Sequence, residues 1–177
     1  MKKGFTLIEL LVAMAIISGL GIMIAQAFFT TTRSNTKVEK LTDVKQNGDY
    51  ALSVMERMIR NARVLTAVCT DDGSTPVSSV AIENPDGGTT TLQCLLSDSV
   101  TRIASVSSFG TEYLTSNAVS LGGSTCDGDS FTFYCTSVAQ VSKTLKINFS
   151  LSQKGTPTDQ FEKASTQFQT SVGLRSQ

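Results

Sequence analysis

Between Leu10 and Phe29 runs a stretch of about 20 residues that is apolar apart from Ser18, Gly19, Gly21 and Gln26. About 20 helical residues at 1.5 Å each cross the ~30 Å hydrocarbon core of a bilayer, so the run predicts one membrane-spanning helix. Glu9 stands at its entrance, where a lone carboxylate costs roughly 2 to 3 kcal/mol on insertion scales before any pairing. A charge in that position needs a cationic partner. Lys2 and Lys3 argue for a cytoplasmic N-terminus and for export of everything after about Thr30. Arg33, Lys37 and Lys40, just past the other end, weaken that asymmetry.

The leader Met1-Lys2-Lys3-Gly4 followed by Phe5-Thr6-Leu7-Ile8-Glu9-Leu10-Leu11-Val12-Ala13 resembles the class III signal sequence of type IV prepilins and type II secretion pseudopilins, over residues 1 to about 29. The resemblance implies that a prepilin peptidase cuts after Gly4, that Phe5 becomes the N-methylated mature terminus, and that Glu9 is the assembly carboxylate. Inside an apolar bundle Glu9 would neutralise the Phe5 amine of a neighbouring subunit, and the several kcal/mol lost when a buried charge is unpaired would select one axial register. The implied partners are prepilin peptidase, other pilin or pseudopilin subunits, an inner-membrane assembly platform and, before assembly, the lipid bilayer. The implied location is a single-pass inner-membrane protein with an exported head, then a filament. Major pilins often carry a proline within this helix, whereas the first proline here is Pro76, which leaves Ser18, Gly19 and Gly21 as the points for any local melting. A competing reading takes Ala25-Gln26-Ala27 as an ordinary signal-peptidase site and releases a binding protein or adhesin beginning at Phe28. The carboxylate opening the apolar core and the helical character after Phe29 count against it.

Residues 30–63 read as a continuation of the helix. Val38, Leu41, Val44, Gly48, Ala51, Leu52, Met55, Met58, Ile59 and Ala62 recur at threes and fours, one apolar stripe on a 3.6-residue period. Gly48 weakens the pattern locally, and Glu56 with Arg60 forms an i,i+4 pair in the favoured orientation. A helix from Phe5 to near Ala62 would be roughly 85 Å long. The segment Tyr50 to Arg63 resembles the end of this spine in minor pilins and pseudopilins of the J/W group, as does the short strand Thr170 to Arg175. Arg57, Arg60 and Arg63 otherwise read as a solvated helix end complementing the macrodipole.

After Val64 the period becomes two. Leu145, Ile147, Phe149 and Leu151 alternate with polar residues, as do Phe131, Phe133 and Cys135, and Phe168, Val172 and Leu174 fit a further strand. Turns are expected at Asn84-Pro85-Asp86-Gly87-Gly88, Gly122-Gly123 and Lys154-Gly155-Thr156-Pro157. The predicted fold is α+β, a long helix packed by its apolar stripe on an antiparallel sheet. Its segments are a leader (1–4), a transmembrane half (5–29), an amphipathic half (30–63) and a β-rich head (64–177).

All four cysteines, Cys69, Cys94, Cys126 and Cys135, fall in the exported head, where thiols oxidise, and Cys69 with Cys94 and Cys126 with Cys135 is the expected pairing because each joins chain neighbours. With no histidine the chain lacks the usual general base and the usual zinc partner, so neither enzyme, metal site nor cofactor is expected. Asp127 and Asp129 offer calcium two carboxylates without the remaining ligands of an EF-hand loop and read as an exposed turn. Asn148-Phe149-Ser150 matches a glycosylation triplet, but at the centre of a predicted strand it reads as accidental. Residues 30–63 carry a net +3 and residues 64–177 a net −4, and an acidic head is a poor partner for nucleic acid. The expected function is a structural filament subunit, a minor pilin, with a type II secretion minor pseudopilin as the alternative within the family.

Overall fold

The computed structural model describes residues 4, 6–66, 69, 73–123, 125–126, 130–138, 142–155 and 163–174. Its first element is a single helix, α1 (Leu7–Asn61). Thr6 is the N-cap and Glu9 the third helical residue, and the two close a reciprocal capping box that satisfies otherwise orphaned amides. Ala62, in extended conformation, ends the helix. The helix passes without a break through Ser18, Gly19 and Gly21, and the Ser18 hydroxyl donates to the Met14 carbonyl at 2.7 Å, so it needs no partner outside the helix.

Among the described residues ten strands follow: β1 (Val64–Thr66), β2 (Pro76–Val77), β3 (Ser79–Glu83), β4 (Thr89–Ser97), β5 (Val100–Ser107), β6 (Gly110–Tyr113), β7 (Val119–Ser120), β8 (Phe131–Val138), β9 (Ser142–Gln153) and β10 (Ser165–Gly173). They form two antiparallel sheets rather than one: β7 to β10 leave the first sheet, and β2 leaves its chain neighbours to pair with β8. The first sheet has the order β1-β3-β4-β5-β6, and the second has the order β10-β9-β8-β2 with β7 also on β9. Helix α1 packs mainly on β10, β9 and β7 of the second sheet. Residues of both sheets and of the helix then share one core, which includes Val44, Met55 and Ile59 of the helix, Ile82 and Leu92 of the first sheet, and Ile147 and Leu151 of the second.

The alternation read along Leu145 to Leu151 and Phe131 to Cys135 places all of those apolar side chains in the core. The helix stripe starts later than its spacing predicts. Val44 is its first buried residue, whereas Val38 and Leu41 remain exposed, because the head does not extend far enough along the helix to cover them. Val54, outside the predicted stripe, is buried.

A row of phenylalanines explains Gly48. Phe131 pairs in register with Phe149, and Phe149 with Phe168, so three rings lie side by side across the second sheet. Phe149 and Phe168 stack with centroids 5.2 Å apart, and the Phe168 ring occupies the space that a Cβ on Gly48 would fill.

The turn at Asn84 to Gly88 joins β3 to β4 and is closed by Gly87 N–H to Asn84 O at 3.0 Å, with Gly87 at φ +83°. Gly122, Gly123 and Gly155 also take positive φ, while Thr156 and Pro157 lie outside the described residues.

The disulfides correct the expected pairing. Cys69 bonds Cys135 and Cys94 bonds Cys126. Cys69 lies on the passage from β1 in the first sheet to β2 in the second, which brings it to β8 and Cys135. Cys94 sits on β4, and Cys126 on the connection from β7 to β8. Each bond therefore ties a strand to a connection, Cys135 of β8 to the β1–β2 crossing and Cys94 of β4 to the segment between β7 and β8, and nearness along the chain is a poor guide where the chain changes sheets.

Candidate functional site

The first two-thirds of α1 makes no buried contact with the head. Within the span Leu7, Met23 and Ile24 are about 70–80% exposed, and an apolar surface of that extent is covered in a functioning protein by lipid or by other chains. By length and composition this helix can cross a membrane. Gly4, the expected cleavage position, is exposed with open space around it, and Phe5 lies outside the described residues.

Glu9 sits in the first helical turn, where the positive end of the macrodipole favours an anion. Its Oε2 accepts from the Thr6 backbone N–H at 3.2 Å and from the Thr6 hydroxyl at 3.2 Å, while the Glu9 N–H donates to the Thr6 hydroxyl oxygen at 3.4 Å. Hydrogen bonds offset part of the cost of a carboxylate in apolar surroundings but leave its charge uncompensated. Thr6 is the residue that charge reasoning missed. Its signal, threonine three residues ahead of glutamate at the start of an apolar helix, was present in the sequence.

The C-terminal end of the helix is anchored by polar contacts. Glu56 meets Arg60 at 3.9 Å and accepts a hydrogen bond from the Thr170 hydroxyl of β10. Arg63 meets Glu83 at 3.9 Å, and its N–H donates to the Glu83 carbonyl at 2.8 Å. Arg57 is exposed, so this arginine group combines one ion pair within the helix, one from the helix end to β3 and one solvated side chain.

In the head, a cleft of about 290 Å³ beneath the β5–β6 turn is lined by hydroxyls, Met58, Phe109 and Glu112, the last being its one carboxylate among the described residues. Among the described residues no group of three or more His, Cys, Asp or Glu side chains is placed to hold a metal ion. Asp127 and Asp129 lie outside the described residues. Asn148 is on the central strand β9, paired in register to both β8 and β10.

A capped helix whose apolar half is left uncovered by a disulfide-tied, antiparallel β head is an α+β architecture of the pilin-like class. Residues 1–25 match the family model described as the prokaryotic N-terminal methylation motif. That motif supports a type IV prepilin or pseudopilin, and it implies processing by prepilin peptidase and assembly with other pilin-type subunits. No curated protein and no solved structure matches the chain.

Proposed function

We propose that the chain is a structural subunit of a type IV pilus or related secretion filament, minor rather than major, cleaved after Gly4, N-methylated at Phe5 and assembled through Glu9. The observation that carries this reading is the position of Glu9 at the first turn of a helix whose apolar half, from Leu7 to Phe29, is uncovered by its own head. Before assembly that half is stored in the inner membrane with the head exported. There the Thr6 N–H and hydroxyl hold the Glu9 carboxylate. On assembly the Phe5 ammonium of an adjacent subunit supplies the charge that Thr6 lacks, and the penalty for leaving either group unpaired fixes the axial step between subunits. The work of the subunit is transfer between two apolar surroundings, with no bond made or broken after processing. Its partners in this reading are prepilin peptidase, an assembly platform in the membrane and other filament subunits.

Mass spectrometry of the mature N-terminus tests the reading. Methylated Phe5 is the expected result. A terminus at Phe28 would replace the reading with that of a secreted protein.

A further inference from the structure

Three cations follow the apolar run on the side where, by the orientation rule, they work against the orientation set by Lys2 and Lys3. Arg33, Lys37 and Lys40 are exposed, and among the described residues none of them is in an ion pair. At about 100° per residue the three fall within about 60° of one another on α1, and Val44, Ala51 and Met55 of the buried face fall in the same sector. The cations therefore continue, toward the end of the apolar run, the helix face that the head covers from Val44 onward, with Lys40 at the edge of the head. Glu39 lies roughly on the opposite side of the helix, and the first acidic residue near the sector, Asp43, comes beyond Lys40. On the head itself Lys154 joins Lys40 and Asp43 around a cleft of about 240 Å³ at this end of the domain.

Position along the helix selects the ligand. Arg33 is about 6 Å and Lys37 about 12 Å past Phe29 at 1.5 Å per residue, and the polar layer of a bilayer extends roughly 5 to 8 Å beyond its hydrocarbon. Helix side chains lean toward the N-terminus, here toward the membrane, so both cationic heads reach the phosphate level. Lys40 and Lys154 stand higher, about one Debye length above the phosphates, where attraction persists at reduced strength.

We propose that Arg33, Lys37 and Lys40 form a binding face for anionic phospholipid headgroups of the leaflet from which the helix emerges, which holds the head on one side over the membrane until assembly. The proposal rests on the membrane-stored subunit described above. It also gives a reason for cations that degrade the orientation signal: a leaflet-bound face contributes more once the helix is inserted than it subtracts during insertion.

The test uses the full chain in nanodiscs of phosphatidylcholine containing one-fifth phosphatidylglycerol, with bound lipids identified by native mass spectrometry. Bound lipid should be enriched several-fold in phosphatidylglycerol. Each of Arg33→Gln, Lys37→Gln and Lys40→Gln should lower that enrichment, least for Lys40, the triple variant should bring it close to the bulk proportion, and the enrichment should fall with added salt. A chain that inserts yet holds the two lipids in bulk proportion overturns the proposal while leaving the membrane reading intact. A chain that enters no disc overturns both. If the triple variant retains its lipid selection but fails to enter filaments, the face serves an acidic neighbouring subunit, and the lipid assignment is wrong.

Discussion

A Cβ added to Gly48 would lie 2.1 Å from Cζ of Phe168, so helix and sheet meet at the one helical position in that stretch that has no side chain. The contact ends the row Phe131, Phe149, Phe168 and fixes how closely β10 approaches α1.

Gly48→Ala should therefore destabilise the head although alanine is the better helix former. Propensity alone favours alanine by about 1 kcal/mol, and overpacking costs about 1 to 3 kcal/mol. The net expectation is a loss of up to about 2 kcal/mol, read as a lowered thermal midpoint of the detergent-solubilised chain. Adding Phe168→Leu to the alanine variant should cost less than Phe168→Leu costs in the native chain. Strict additivity of the two changes would show that the residues do not compete for the same space.

The disulfides give a second prediction. Non-reducing peptide mapping should recover Cys69 linked to Cys135 and Cys94 linked to Cys126. Their sequence separations are 66 and 32 residues, and in the loop-entropy model closures of that size contribute about 4 kcal/mol each. Reduction should lower the unfolding midpoint of the head sharply. A linkage of Cys69 to Cys94 would contradict the course of the chain that brings Cys69 to β8.

The turn between β4 and β5 offers a stabilising change. Asp98 and Ser99 are its two central residues, with φ of 52° and 61°, a left-handed pair for which Asp-Gly is a preferred sequence. Serine gains nothing from that conformation, while glycine adopts it without steric strain. Ser99→Gly should raise stability by about 0.5 to 1 kcal/mol, which corresponds to roughly 1 to 4 °C in Tm for a chain of this size. An unchanged or lower Tm would show that the turn is not strained at Ser99.

Glu9→Gln isolates charge from shape. Glutamine also serves a capping box, so the helix start should persist. Cleavage and membrane insertion should survive as well, since neither uses the charge. A neighbour's buried amine left without its counter-ion costs roughly 3 to 5 kcal/mol, so the subunit should accumulate processed in membranes and be depleted from sheared filaments. Gly4→Val should instead accumulate with its leader attached. Native levels of Glu9→Gln in filaments would mean that Glu9 does not set the register.

The sequence alone determined the features that depend on near neighbours. The span rests on about 20 consecutive side chains, the helix beyond it on a 3.6-residue period, and the strands of Phe131 to Cys135 and Leu145 to Leu151 on strict alternation; each is fixed by geometry within a few residues. The Thr6–Glu9 box was equally local and was legible in the same way. Tertiary structure decided the rest. Alternation shows which face of a strand is buried but not which strand lies beside it, so neither the division into two sheets nor the disulfide partners could be read locally, and Cys69 meets Cys135 where the chain crosses from β1 to β2 beside β8. The apolar period of the helix runs smoothly past Val38 and Leu41, yet burial begins only at Val44, because the extent of the head along the helix is set by how its sheets pack. Gly48 read as a weakness in the helix until Phe168, 120 positions later in the chain, was brought against it. Contacts between distant residues reflect a competition among many pairings of similar energy, and the winner is settled by the close packing of the whole core rather than by any short stretch of sequence.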